Sequence, residues 1–184
     1  ADARKALDGH GVAAALQDYG RAIVVGDAST HGKGTVQAPS LLRAFMRPST
    51  VVTNDPGLLK YTISKFYRAN GESTQLRGVE PDIVLPSVLN YSTDIGESSL
   101  ENPLPWDTIE SARFERLDRT DPYKEELRQR SAERVATGTD FDYVREDIEH
   151  FKKTQADKSI SLNEQQRLQE KAEAKARQKA REKE

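Results

Sequence analysis

Cysteine is absent from the 184 residues. Disulfides, thiolate metal sites and a cysteine nucleophile are thereby excluded. The redox compartment stays open, because a cysteine-free chain is at home on either side of a membrane. No run approaches the roughly eighteen apolar residues that a bilayer-spanning helix needs. Neither sign of charge dominates: 28 Lys and Arg stand against 30 Asp and Glu, a formal net charge of −2. No overall basic field therefore argues for a nucleic-acid partner. Apolar residues are few, 35% against 32% charged. That ratio is lean for one compact globule and predicts a globular part joined to a solvated part. The length suffices for one ordinary domain, or one and a half small ones. No serine precedes Ser29, and no initiator methionine or signal peptide precedes the helical pattern that follows Ala1. We read the chain as starting mid-protein.

The stretch that organises the rest is Arg21 to Gln37, RAIVVGDASTHGKGTVQ. Ala22 to Val25 has the length of a buried strand bounded by glycine. It empties into a polar loop, Gly26 to Gly32, which delivers Lys33 between two glycines. Glycine flanks let the backbone approach a neighbour closely, so this lysine can be aimed into a cleft. The segment is not a Walker phosphate loop. Five residues separate Gly26 from Gly32, and Gly34 stands where a metal-binding Ser or Thr is needed. Ser29 and His31 could be read as a local nucleophile pair. Residues two apart on a loop rarely face one substrate atom, however, and no carboxylate is placed to orient the imidazole. His31 is expected to shape the loop beside Lys33, with His10 and His150 at the surface. Gln37 follows Lys33 by four residues. Four residues of straight strand span roughly 13 Å, too far for contact between the side-chain ends. A Lys33–Gln37 contact therefore predicts a non-extended backbone within Gly34–Val36.

Upstream, Ala13 to Leu16 is a strong helix former, and Gly20 sits where a C-terminal cap belongs. Downstream, Leu41, Leu42, Phe45 and Met46 form an apolar cluster between proline breakers, expected to pack as core. LKYTISKFYR alternates, with Leu59, Tyr61, Ile63 and Tyr67 on one face, which is a strand. Asn70-Gly71 marks a turn, and Ile83 to Leu85 is a short strand stopped by Pro86. Beyond an irregular stretch the pattern turns helical at Asp121-Pro122, and Gly138 closes the first helix. Asp140 opens a second, with Phe141, Val144, Ile148 and Phe151 at helical spacing. A capping box at Ser161-x-x-Glu164 starts a last, charged and solvated helix.

HGKGTVQ after VVGD, FYR…NG…STQ, GVEPDI and NPLPWD together resemble the tail-specific, or C-terminal processing, proteases, Ser-Lys peptidases that carry a PDZ domain. The likeness covers about Val12 to Phe151. It implies an α/β fold: a partial crotonase-like protease core of helix and short strands, followed by a mostly α-helical C-terminal extension. The divisions expected are a non-matching leader over 1–11, the C-terminal part of the core over 12–86, an irregular linker over 87–120 and the helical extension over 121–184. By this likeness Lys33 is the general base, Gln37 holds its amine, and no cofactor or metal is used. A lysine base must be largely unprotonated at neutral pH, which burial away from carboxylates favours. The family's nucleophilic serine falls at a slot near Leu7, which here reads Ala6-Leu7-Asp8. The hydroxyl that forms an acyl-enzyme is thus missing. A truncated or frameshifted gene and an added leader are both left open. The resemblance further implies protein or peptide substrates with accessible C-termini, an extracytoplasmic (periplasmic) location, and room for peripheral membrane association of the full protein. Trp106 is expected to anchor the extension on the core. The alternative is a non-catalytic fragment, a helical interaction module or a homo-oligomer paired through an open sheet edge.

Overall fold

The computed structural model describes residues 11–47, 54–157 and 159–181. His10 and the Leu7 slot lie outside them. The chain divides into two compact units, 1–148 and 149–184.

The first unit mixes helices with short strands, an α/β composition. Helix α1 (Val12–Asp18) is stopped where Gly20 takes φ +60°. There Arg21 N–H donates to the Leu16 carbonyl at 2.8 Å, closing the orphan carbonyls of the last turn. Strand β1 (Val25–Gly26) is shorter than the apolar run predicts. It pairs in parallel with β4 (Ile83–Val84). β2 (Thr35–Leu41) pairs antiparallel with β3 (Leu58–Lys65).

The β2–β3 register slips between Val36 and Gln37, which face Ser64 and Thr62. Ile63 is thus the extra residue, and the bulge lies on β3. The curl expected within Gly34–Val36 is therefore not found in Thr35 or Val36, both of which belong to the strand. β3 forms where its sequence predicts a strand, yet both faces are open, with Leu59 44% and Ile63 54% exposed. The cluster expected to be core behaves likewise. Leu41 ends β2 and Phe45 closes a 3-10 turn (Leu42–Phe45), and both are exposed. Phe45 lies edge-on to Tyr61 with ring centroids 6.2 Å apart.

Among the described residues, Ala14, Val79, Ile83 and Ile148 are the buried apolar side chains. Seven polar ones are buried beside them: Asp18, Thr35, Ser73, Thr74, Gln75, Glu97 and Ser131. Hydrogen bonds rather than apolar area therefore organise this interior, since buried polar groups must be paired.

Two hubs carry the tertiary contacts. Asp18 receives Arg68 Nε at 3.1 Å and the Ala69 N–H at 3.1 Å, fixing α1 to the strand-to-turn corner. Asp82, of the GVEPDI segment, receives the Val24 N–H at 3.0 Å and Gln17 Nε2 at 3.2 Å. It also pairs with Lys124 at 2.9 Å. Lys124 belongs to helix α2 (Asp121–Thr137), whose N-terminal flank is Thr120 and whose Pro122 stands in the first turn.

Residues 87–120 contain 3-10 turns but no α-helix or strand. Their backbone is nonetheless stitched to the core: Ser73 N–H donates to the Asp107 carbonyl, Ile109 N–H to Gly71, and Leu117 N–H to Tyr19. Trp106 Nε1 donates to the Ser73 carbonyl at 2.8 Å, and Arg77 lies 3.9 Å over its ring, so the tryptophan does anchor this segment on the core.

Helix α3 (Thr139–Asp157) buries Ile148. In the second unit, α4 (Glu164–Arg181) buries no residue. Its cap is Asn163, whose Oδ1 accepts the Gln166 N–H at 3.1 Å. Ser161, expected to cap it, instead accepts from the Asn163 N–H at 3.2 Å. Asn163 stands one residue before the helix and wins the capping position. Among the described residues no helix is long and apolar enough to cross a membrane.

Candidate active site

The site is the loop that leaves β1 and enters β2. Thr30 fixes its middle, its N–H donating to the Val79 carbonyl at 3.2 Å and its Oγ1 accepting the Val79 N–H at 2.9 Å. The next residues run against the Ser73–Leu76 segment. Leu76 N–H donates to the Gly32 carbonyl at 2.7 Å, Thr74 Oγ1 to the Lys33 carbonyl at 3.0 Å, and Gly34 N–H to Gln75 Oε1 at 2.8 Å.

Both glycines that flank Lys33 are demanded by this approach. At Gly32, φ is +81° and a Cβ would lie 2.8 Å from the Leu76 carbonyl oxygen. At Gly34 a Cβ would lie 2.6 Å from the Gln75 nitrogen. The lysine is the only side chain in this tripeptide, and its backbone is held on both sides.

The ammonium of Lys33 lies 3.6 Å from Glu97 Oε1, with the lysine side chain 30% exposed and the glutamate side chain 10%. Glu97 Oε2 accepts from Gln75 Nε2 at 3.3 Å. The Glu97 N–H donates to the His31 carbonyl at 2.9 Å. Gly34, Gln75, Glu97 and Lys33 thus close a ring of polar contacts, with Gln75 (1% exposed) at its centre.

Of the residues singled out from the sequence, Lys33 stands in this ring. Gln37 stands on β2, half-buried and opposite Thr62. Among the described residues the Lys33 ammonium is paired with Glu97 and not with Gln37. Ser29 Oγ donates to the Thr30 carbonyl at 3.1 Å and makes no bond to His31. The imidazole of His31 is exposed, and its contribution to the site is its carbonyl. Beside the loop opens a cavity of about 470 Å³, whose wall includes Asp27, Ser29, His31, Leu89, Ile95 and Gly96 but not Lys33. Among the described residues no group of three or more His, Asp or Glu side chains is placed to hold a metal ion.

Sequence reasoning missed Thr74, Gln75 and Glu97. The first two sit in STQ, one of the motifs that carry the family resemblance, which assigns them no chemistry. Glu97 has no local signal, being one glutamate in an irregular stretch.

The sequence matches two protein families. Residues 1–85 match "Peptidase family S41", and the match takes in the first eleven residues. Residues 91–184 match "C-terminal domain of tail specific protease". A "Tail-specific protease" of Haemophilus influenzae is 36% identical over 161 residues, 86% of this chain and 22% of that protein. A "Carboxy-terminal-processing protease" of Bartonella bacilliformis is 35% identical over 94 residues, 48% of this chain and 19% of that protein. The chain spans about a fifth of the length of these relatives.

Proposed function

The chain belongs to the tail-specific protease family, and from that membership we propose that it is the C-terminal portion of a serine endopeptidase that degrades or trims proteins from their C-termini. The observation that carries the reading is the held lysine: Lys33 alone projects from a glycine-flanked tripeptide whose backbone is bonded to Thr74, Gln75 and Leu76. Fixed geometry of that kind is what a general base requires.

In this reading the core is crotonase-like and the attacking serine is supplied from outside these residues. Its hydroxyl adds to the scissile carbonyl while the neutral Lys33 amine takes its proton. Backbone amides hold the oxyanion. The lysine then passes the proton to the leaving amine, and water releases the acyl-enzyme. Gln37 orients the amine once the lysine turns toward β2. Substrates enter by their C-termini, and the protein works outside the cytoplasm, as the family implies.

The test is cleavage of an unfolded protein substrate by the whole protease. Lys33→Ala abolishes turnover while leaving the melting profile intact, and Gln37→Ala slows it. Full activity of the Lys33→Ala enzyme refutes the reading. The expected result for the 184-residue chain alone in the same assay is no turnover.

One observation favours a second reading, a self-associating fragment: the uncovered β3 face with Leu59, Tyr61 and Ile63 beside Phe45. Such faces and edges attract another chain. Sedimentation equilibrium decides it, since a monomer across the micromolar range removes this alternative.

A further inference from the structure

We propose that Glu97 is a positioning residue for Lys33, holding its ammonium in the resting arrangement and turned away from Gln37. The proposal rests on the reading of Lys33 as the base. It goes beyond that reading by bringing a residue of the C-terminal part into the lysine's surroundings: Lys33 lies in the stretch that matches the peptidase, Glu97 in the stretch that matches the C-terminal domain.

Three observations carry it. The carboxylate stands 3.6 Å from the lysine nitrogen and is itself nearly buried. It is also built into place. Its backbone N–H is bonded to the His31 carbonyl, and its second oxygen takes the Gln75 amide, which in turn holds Gly34. Finally, Gly96 is confined: its φ is +96° and a Cβ there would stand 3.0 Å from the His31 carbonyl oxygen. The turn that presents Glu97 is therefore docked on the lysine loop by its backbone. The Thr74 hydroxyl holds the Lys33 carbonyl and the Gln75 amide holds Glu97, and among the described residues the ion pair of the ammonium is the one with Glu97.

An amine held against Glu97 is withheld from any other partner, so the Glu97 pair and the Gln37 contact are alternatives, and catalysis requires the first to loosen.

The experiment uses the 184-residue chain and needs no turnover. Amine labelling at mildly alkaline pH, with site-resolved mass spectrometry, gives the rate at Lys33 relative to Lys65, which is paired elsewhere, with Asp107 at 3.0 Å. Glu97→Gln raises the Lys33/Lys65 ratio about threefold, the size expected for a partly exposed ion pair. Glu97→Asp leaves it near the wild-type value. An unchanged ratio in Glu97→Gln overturns the proposal. The unmodified chain supplies a measurement independent of any variant, a proton NOE between the Lys33 ε-methylene and the Glu97 γ-methylene, and its absence also overturns the proposal. In the whole protease Glu97→Gln changes kcat while leaving KM and the melting profile unchanged, a split that a purely structural role does not produce. Failure of the protease reading is seen separately, as activity that survives Lys33→Ala.

Discussion

Replacing Gln75 by leucine removes the centre of the polar ring at nearly constant volume. Two groups lose their partner: the Gly34 N–H, bonded to Gln75 Oε1 at 2.8 Å, and Glu97 Oε2, bonded to Gln75 Nε2 at 3.3 Å. A buried donor or acceptor left unpaired costs about 1–3 kcal/mol, or about 2–6 kcal/mol for the two. Leucine returns about 1.5–3 kcal/mol through apolar burial. Glu97 keeps Lys33 as a partner, which places the loss in the lower half of its range. The balance is a destabilisation of about 1 kcal/mol. Urea denaturation followed by the fluorescence of Trp106 measures it, because that indole is bonded to Ser73, two residues from the substitution. With a slope of about 1–3 kcal/mol per molar urea, the midpoint falls by roughly 0.5 M. Hydrogen exchange locates the effect. The Gly34 amide loses its acceptor and exchanges faster, whereas the Phe66 amide, bonded to the Gly34 carbonyl at 3.0 Å, is affected less. A midpoint that stays or rises would mean that apolar burial outweighs the two lost bonds, and the account of a polar-organised interior would be wrong.

Asp82 predicts an acid dependence. Burial by itself raises its carboxyl, but the Val24 N–H, the Lys124 ammonium and the Gln17 amide outweigh burial and leave it below the usual carboxylate range. The folded value lies under the unfolded one, so the stabilisation is complete above the unfolded value near 3.9 and is lost as pH falls through the folded value. Asp82→Asn should lower the urea midpoint at neutral pH and flatten its pH dependence in that acid window; an undiminished slope would assign the acid sensitivity to another group. In the second unit, Asn163→Ala removes the cap of α4 and should cost about 1 kcal/mol of helix stability, read as lost ellipticity at 222 nm on warming. Ser161→Ala should cost less, and the reverse order would restore Ser161 as the cap.

The legible parts of the sequence were those decided by near neighbours. Alternation marked β3, glycine marked the end of α1, and Asn70-Gly71 marked a turn, where the Gly71 N–H meets the Arg68 carbonyl at 3.0 Å. Periodicity says that a face is apolar and is silent on what covers it, which is why Leu59 and Ile63 are patterned as core yet exposed. The bulge at Ile63 has no signal of its own, because a register slip is a property of two strands. At Ser161 and Asn163 two good caps compete, and Asn163 takes the position because the helix begins at the next residue. The polar ring lies furthest from local inference. Gln75 reaches Gly34 across 41 positions and Glu97 across 22, and Lys33 lies 97 − 33 = 64 positions from its ion partner. No period or spacing links residues so far apart.

The two family matches meet between residues 85 and 91, but the hydrogen bonds do not respect that join. Glu97 holds the lysine, Trp106 and Asp107 bond the backbone of Ser73, and Lys124 balances Asp82, the carboxylate that ties α1 to the end of β1. Each of these residues from the C-terminal part touches a group within one contact of the lysine loop or of the strands that frame it. With so few apolar side chains buried on the peptidase side, these polar contacts supply much of what fixes the loop. The contacts that join the C-terminal part to Lys33 run through Glu97 directly and through the Ser73–Gln75 segment. Through Glu97 the C-terminal part supplies one wall of the surroundings of Lys33.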